Sequence, residues 1–289
     1  MNRTFVDTSD MPWTDGLDVV RGMAQAFREN IGPDHLVEGL MAHYHQKTLM
    51  HDPETKRRLD LIKVDGGFRD LTNSYHDSVE ECFVISGFLS LDGEGEFEPD
   101  DYFWRPPGFV HAAGSESGFV AILGFEGEDE AEGSRATSRN IRPDSEAGTN
   151  FLHPEDLEAA VGPRGWVRRL QTGHLAWLPG PAYARTQLAL DGMDLDRLQV
   201  KVLSYNPWTG GQTLLVRLSP DYAQSAAGSH SCRWQHYVLD GEARLGDEIH
   251  ATGCYLRRPP GSVEAPMVSE TGALLYVKLD GWLDRRRAE

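Results

Sequence analysis

Apolar and polar positions alternate along most of the chain in short runs rather than at helical spacing. Glu81–Ser86 and Gln235–Asp240 are rich in aromatic and β-branched residues and end at Gly87 and Gly241. Phe119–Phe125 and Ala273–Leu279 repeat the pattern and close on Gly127 and Gly281. Runs of this length, bounded by Gly and Pro, predict β-strands at regular spacing and hence a barrel or jelly roll. Helical spacing is confined to a few places. Val19, Val20, Met23 and Phe27 predict an amphipathic helix over Leu17–Glu29. Pro154-Glu155-Asp156 opens a second short helix through Val161. Residues 128–149 are polar and aperiodic and read as a linker.

The strand pattern occurs twice. Lys47–Gly87 laid over Lys201–Gly241 brings together Lys47/Lys201, Leu49/Leu203, Pro53/Pro207, Thr55/Thr209, Leu61/Leu215, His76/His230, Val84/Val238 and Gly87/Gly241 without a gap. One residue is then lost from a loop, and Arg105-Pro106-Pro107-Gly108 falls on Arg258-Pro259-Pro260-Gly261. Two separate matching blocks with a single deletion between them point to duplication. Trp13 and Trp177, each within two residues of a proline, mark the starts of the repeats. The expected organisation is a domain over 1–127, the linker, and a second domain over 150–289.

Charge narrows the partners. Lys and Arg number 28 against 45 Asp and Glu, a net charge of −17. Such a chain repels phosphate backbones, and its one basic cluster, Arg285-Arg286-Arg287, lies at the C-terminus. Nucleic acid is not an expected partner. No apolar run reaches membrane-spanning length, and the N-terminus has no apolar signal core. Three scattered cysteines, Cys82, Cys232 and Cys254, argue against a disulfide framework. A cytoplasmic location is the expectation.

The candidate chemistry sits in the first repeat. His76 and Glu80 precede Gly87 as H-x3-E-x6-G, and Pro106, Gly108 and His111 form P-x-G-x2-H. On a strand of period two, His76, Ser78 and Glu80 share one side. His111 enters after a Pro-Gly turn. These two motifs resemble the halves of the cupin signature, H-x-H-x3-E-x6-G and G-x5-P-x-G-x2-H. The phrases YFWRPPGFVH and CYLRRPPGSVE are similar to the branch holding ChrR-type anti-sigma domains and acetylacetone dioxygenase.

The resemblance implies an all-β chain of two tandem cupin domains (double-stranded β-helix, or jelly roll) with a few short helices. It implies one divalent metal held by His76, Glu80 and His111. Two imidazoles and a carboxylate suit non-haem Fe(II), and Zn, Mn or Ni could take the same ligands. Ser74 stands where the first motif histidine belongs, and Asp100 where the second motif opens on glycine. Ser74 is therefore expected to leave room beside the metal. The second repeat keeps His230 but replaces the glutamate by Trp234, the last histidine by Glu264 and the serine by Gly228. It is expected to be structural, with Trp234 filling the space. Cys232 is read as an inert buried thiol. His43 and His45, unmatched in the second repeat, could line the metal site, the default being plain strand histidines. Arg105 and Arg258, present in both repeats, suggest a buried ion pair.

The function expected from this is oxidation of a small diketone- or enol-like substrate with O2 by an Fe(II) dioxygenase, with Tyr102, Phe103 or Trp104 excluding water. A redox-neutral metal lyase, isomerase or hydrolase is the alternative, and a non-enzymatic small-molecule sensor the third. A homodimer is expected, because exposed sheet edges of such domains are usefully covered by a second copy.

Overall fold

The computed structural model describes residues 3–21, 34–52, 57–70, 74–76, 79–106, 109–125, 138–140 and 165–288; at 34–36, 74–76 and 138–140 it describes the backbone alone. Strands dominate, in the jelly-roll arrangement of a cupin. The chain divides into two compact units. An N-terminal unit runs over Pro12–Gly173, and a C-terminal unit comprises Met1–Met11 with His174–Glu289.

The principal sheet of the N-terminal unit has the strand order Val167–Gln171, Asp101–Arg105, Glu80–Gly87, Gly118–Phe125, Arg58–Asp65, Tyr44–His51, Thr14–Asp15. The C-terminal unit repeats it as Thr4–Asp7, Cys254–Arg258, Trp234–Leu245, Ala273–Leu279, Gln212–Leu218, Leu198–Tyr205, Leu178–Pro179. Each repeat thus contributes its first strand to the sheet of the other. This moves the unit boundaries away from those read in the sequence. Strand partners are chosen by the sheet edge that a segment meets, and neither periodicity nor composition records that choice.

The correspondence extends to detail. The ladder slips by one residue between Thr48 and Met50 against Arg58–Asp65, and at the same place between Val202 and Ser204. Lys47 Nζ lies 4.4 Å from the Trp13 ring centroid, and Lys201 Nζ lies 4.6 Å from that of Trp177. Tyr102 donates to Glu81 Oε2 at 2.8 Å, and Tyr255 to Gln235 Oε1 at 2.7 Å. Gly87 and Gly241 adopt φ of 76° and 77°. A Cβ on either would fall 2.1 Å and 2.3 Å from the carbonyl oxygens of Gly118 and Gly272, so only glycine fits both turns. Asp100 carries φ of 70° where the second repeat has Gly253 at 92°. The motif position therefore needs a left-handed backbone, which Asp100 adopts at a cost of order 1 kcal/mol.

Two separate cores form. Ile62, Val64, Val84, Phe97, Phe103 and Ala121 pack in the N-terminal unit. Val200, Leu214, Val238, Leu256, Leu275 and Val277 pack in the C-terminal unit. Cys82, Cys232 and Cys254 are buried free thiols.

Several expectations change. The first helix covers Gly16–Arg21 and a second covers Asp34–Met41; the rest of the Leu17–Glu29 helix lies outside the described residues, as does Pro154–Val161. The linker is not featureless, because Ser138–Asn140 pairs antiparallel with Ser74–His76. Arg285 does not belong to a surface basic patch. It is buried and donates to Asp191 O, to Gln224 Oε1 at 3.1 Å and to Ala226 O at 2.7 Å. No helix among the described residues is long and apolar enough to cross a membrane.

Candidate functional site

Glu80 opens the strand Glu80–Gly87 directly opposite Arg105. Arg105 is wholly buried, and charge that far from water must be compensated. Its Nη2 donates to Glu94 Oε1 at 2.7 Å, and its Nη1 lies 3.6 Å from Glu80 Oε2. The guanidinium carbon lies 4.0 Å from the ring centroid of Phe103 and 4.9 Å from that of Phe109. The buried ion pair expected for Arg105 is therefore present, and one of its carboxylates is a candidate metal ligand.

His111 reaches the same place from beyond the Pro-Gly turn. Its Nδ1 lies 3.2 Å from the Phe109 carbonyl oxygen. A carbonyl only accepts, so Nδ1 carries the hydrogen. Burial holds the ring below the usual histidine range, with the Glu80 charge opposing and the Arg105 charge adding to the effect. The neutral ring so fixed has its lone pair on Nε2, which lies 3.6 Å from Glu80 Oε2. That is beyond hydrogen-bond length. Two electron-pair donors thus face each other at close range.

The backbone at Ser74–His76 forms a strand with Ser138–Asn140. Ser74–His76 and Glu80–Gly87 are separate strands in different sheets rather than one continuous strand, and Ser78 lies outside the described residues. The side chains of His76 and Ser74 lie outside the described residues. Among those described, no group of three His, Cys, Asp or Glu side chains gathers as a metal-binding cluster.

Other expected residues fall elsewhere. His45 is held by Asp15 at 2.9 Å and Asp65 at 3.0 Å, a clamp between strands. Of the three aromatics expected to shield the site, Phe103 lies against Arg105, whereas Tyr102 is tied to Glu81. Three residues were not anticipated. Phe109 packs against Trp166 with ring centroids 4.7 Å apart and lies parallel to His111 at 6.4 Å. Asp70 accepts from the Ala113 backbone N–H at 2.6 Å. Burial, helped by the charges of Glu80 and Asp92, pushes its carboxyl up to about 6. The signal for Phe109 was its place two residues before His111. Asp70 and Trp166 leave no spacing signal.

The equivalent place in the C-terminal unit has different chemistry. His230 stacks on Trp234 at 5.0 Å, and burial with the charges of Arg258 and Arg285 lowers its pKa to about 2. Trp234 Nε1–H donates to His236 Nδ1 at 2.9 Å, His236 Nε2 lies 3.2 Å from His250 Nδ1, and His250 Nε2 lies 2.8 Å from Glu248 Oε1. An indole only donates, so every hydrogen in this chain points toward Glu248. Glu264, at the His111 position, accepts from Arg3 Nε at 3.2 Å. Gly228, at the Ser74 position, lies against Arg285. A Cβ there would come within 2.6 Å of the guanidinium carbon. Trp234 is thus joined by Arg285 in filling this centre.

Comparison with known proteins agrees with the geometry. Residues 170–281 match the family described as ChrR cupin-like domain. Among solved structures, a Nostoc punctiforme protein provisionally described as a dioxygenase is 15% identical, with 100% of this chain and 87% of that chain covered and a TM-score of 0.72. Salicylate 1,2-dioxygenase from Pseudoaminobacter salicylatoxidans is 12% identical over 96% and 81%, with a TM-score of 0.58. Ylba from E. coli is 12% identical over 100% and 93%, with a TM-score of 0.53. No curated protein matches the chain in sequence. The fold of the chain is that of these cupin structures. Its second repeat carries the similarity to the ChrR branch.

Proposed function

We propose that the protein is a mononuclear metal-dependent bicupin enzyme, a non-haem Fe(II) dioxygenase acting on a small diketone- or enol-like substrate. The observation that carries this is the pair Glu80 and His111, with carboxylate oxygen and imidazole Nε2 3.6 Å apart and the other ring nitrogen tied to Phe109 O. The donor set fits a divalent cation. A neutral imidazole whose second nitrogen donates to a carbonyl is the usual state of a ligating histidine, and a carboxylate beside it supplies charge. His76 would be the third ligand, from the strand Ser74–His76. Fe(II) suits two histidines and one carboxylate with open positions, and Zn, Mn or Ni are outcomes of the same test. When bound, the metal would polarise substrate oxygens and supply redox chemistry.

The chain's own residues have separable tasks. Arg105 lies beside Glu80 and holds its carboxylate in place, and Glu94 takes up the remainder of the Arg105 charge. Phe103, Phe109 and Trp166 keep water away from the centre and present an apolar wall to the carbon skeleton of the substrate. Ser74 leaves space where a fourth ligand would stand. Asp70, with its carboxyl pushed up to about 6, can hold or give up a proton near neutral pH. That observation favours, as the second reading, a redox-neutral lyase or isomerase using Asp70 as acid or base.

Metal analysis of freshly purified protein, followed by oxygen uptake across β-diketones, α-hydroxy ketones and catechols, tests the proposal. Stoichiometric iron with O2 consumption supports it. Anaerobic turnover by zinc-loaded protein, without O2 uptake by the iron form, replaces it with the second reading. Similarity to dioxygenase structures supports the choice of reaction. We also place the protein in the cytoplasm as a homodimer, which light scattering and cell fractionation would test.

A further inference from the structure

The duplicated arginine is buried in both repeats but compensated in only one. Arg105 faces Glu80 and donates to Glu94. Trp234 stands at the position of Glu80, and the hairpin that carries Glu94 is one residue shorter in the second repeat, where Glu248 takes the place of Gly95. Trp234 brings no charge, and Glu248 is engaged by Arg3 and by His250. Arg258 remains, 4% exposed, opposite Trp234 in the ladder. Its guanidinium carbon lies 5.1 Å from the Trp234 ring centroid. Its Nε, like that of Arg105, has no hydrogen-bond partner among the described residues, and the carboxylate whose charge acts on it most is Glu264, which Arg3 holds. His230, also 4% exposed, stacks on the same indole, and its Nδ1 is likewise unpartnered.

The surrounding charges do not close the account. Arg258 feels the charges of Arg285 and Arg3 as well as that of Glu264, and Arg3 faces Glu248 and Glu264. Both carboxylates are held by Arg3. Asp191 acts on Arg285 through its field and lies 3.9 Å from Arg286 at the surface. Of the three guanidiniums, Arg258 is therefore the one without a carboxylate of its own. Burying an uncompensated guanidinium is costly, and a planar anion presenting two oxygens to it offsets that cost.

We infer that the C-terminal barrel binds a small carboxylate, with Arg258 as its charged donor, His230 as a second donor and the Trp234 indole as the surface on which it lies. The bound carboxylate pairs with Arg258 as Glu80 pairs with Arg105 in the first repeat. The barrel without a metal motif is then a ligand-binding domain, independent of the chemistry proposed for the first.

Calorimetric titration of the full chain with acetate and with phosphate, at constant ionic strength set by chloride, tests this, with tryptophan emission read in parallel. The expected result is one saturable acetate site per chain that persists in the presence of a metal chelator. Arg258→Gln should weaken it by about tenfold or more, and His230→Gln by less. If Arg258→Gln does not fold, Trp234→Glu and Trp234→Gln decide. The glutamate supplies an internal partner for Arg258 and should abolish acetate binding, whereas the glutamine, which removes the indole but adds no charge, should weaken it only severalfold. No saturable acetate site, phosphate binding without acetate binding, equal acetate binding by both Trp234 variants, or unchanged affinity in a folded Arg258→Gln would each overturn the assignment.

Discussion

The centres of the two units start from the same strands, the same buried arginine and the same preceding histidine position, yet they balance charge in opposite ways. In the first, Glu80 and Glu94 surround Arg105, and His111 turns a lone pair toward Glu80. In the second, the glutamate at the His111 position is bound by Arg3, the acid position is an indole, and Arg285 occupies the space beside Gly228. Four side chains separate a place suited to a cation from one suited to an anion, with the scaffold unchanged. Function therefore resides in the substituents of the barrel rather than in the barrel itself.

The largest contrast should be in metal affinity. Glu80→Gln removes a charged donor, and His111→Ala removes an imidazole held in its ligating tautomer. Each should lower metal affinity by more than about a hundredfold, since even the loss of a supporting hydrogen bond costs about 10–100-fold. His230→Gln should leave metal content unchanged. Equal metal loss from His230→Gln would show that both centres bind metal and would end the contrast.

Stability offers the next test. A Cβ at position 228 would meet the Arg285 guanidinium carbon at 2.6 Å and the Arg286 carbonyl oxygen at 2.7 Å. Gly228→Ala should destabilise by about 1–3 kcal/mol, as overpacking does, with metal affinity intact. Urea unfolding monitored at the C-terminal tryptophans measures this. A neutral result would mean that Arg285 is not what fills the second centre.

Acidification should affect the second centre through His230, which is buried with a pKa lowered to about 2. An unfolded histidine titrates near 6.5. Between those values the unfolded chain binds the extra proton, so stability is present above about 6.5 and falls as pH decreases. At pH 5 the loss from this residue is about 2 kcal/mol. His236, also held well below its usual range by burial, acts in the same direction. His230→Gln should flatten the curve between pH 6.5 and 5 by its own share. An unaltered slope would mean that His230 is hydrated in solution.

Much of this contrast could be read from the chain alone, because it rests on local pattern. Strand runs ending at Gly87 and Gly241, the matched Arg-Pro-Pro-Gly segments and the motif spacing of Glu80 and His111 are all short-range features. What escaped were interactions between residues distant in sequence. Arg3 joins Glu248 and Glu264 across some 250 positions, and Trp166 reaches Phe109 from beyond the linker. The exchange of first strands between units was hidden for the same reason. Nothing in the alignment showed that Arg3 would hold both Glu248 and Glu264. The His236–His250 chain was missed because neither histidine belongs to a repeated position.

The smallest expected effect concerns Arg3, and it bears most directly on how the two centres diverged. Its side chain is 36% exposed, and its pairs with Glu248 and Glu264 lie near the surface. Arg3→Gln should change stability by less than about 1 kcal/mol. Its consequence for the second centre should be larger than its energy suggests. Glu264 already acts on Arg258 through its field, and without Arg3 its carboxylate is released to approach that guanidinium. The second centre would then resemble the first, with an internal carboxylate beside the buried arginine and less need for an external one. The expected outcome is a severalfold loss of acetate affinity with nearly unchanged thermal stability. A variant with normal acetate affinity would show that Glu264 stays clear of Arg258 and that Arg3 only anchors the strand Thr4–Asp7. Destabilisation well beyond 1 kcal/mol would instead make Arg3 a structural clamp, placing the divergence of the two centres in the exchanged strand rather than in the replacement of Glu80 by Trp234.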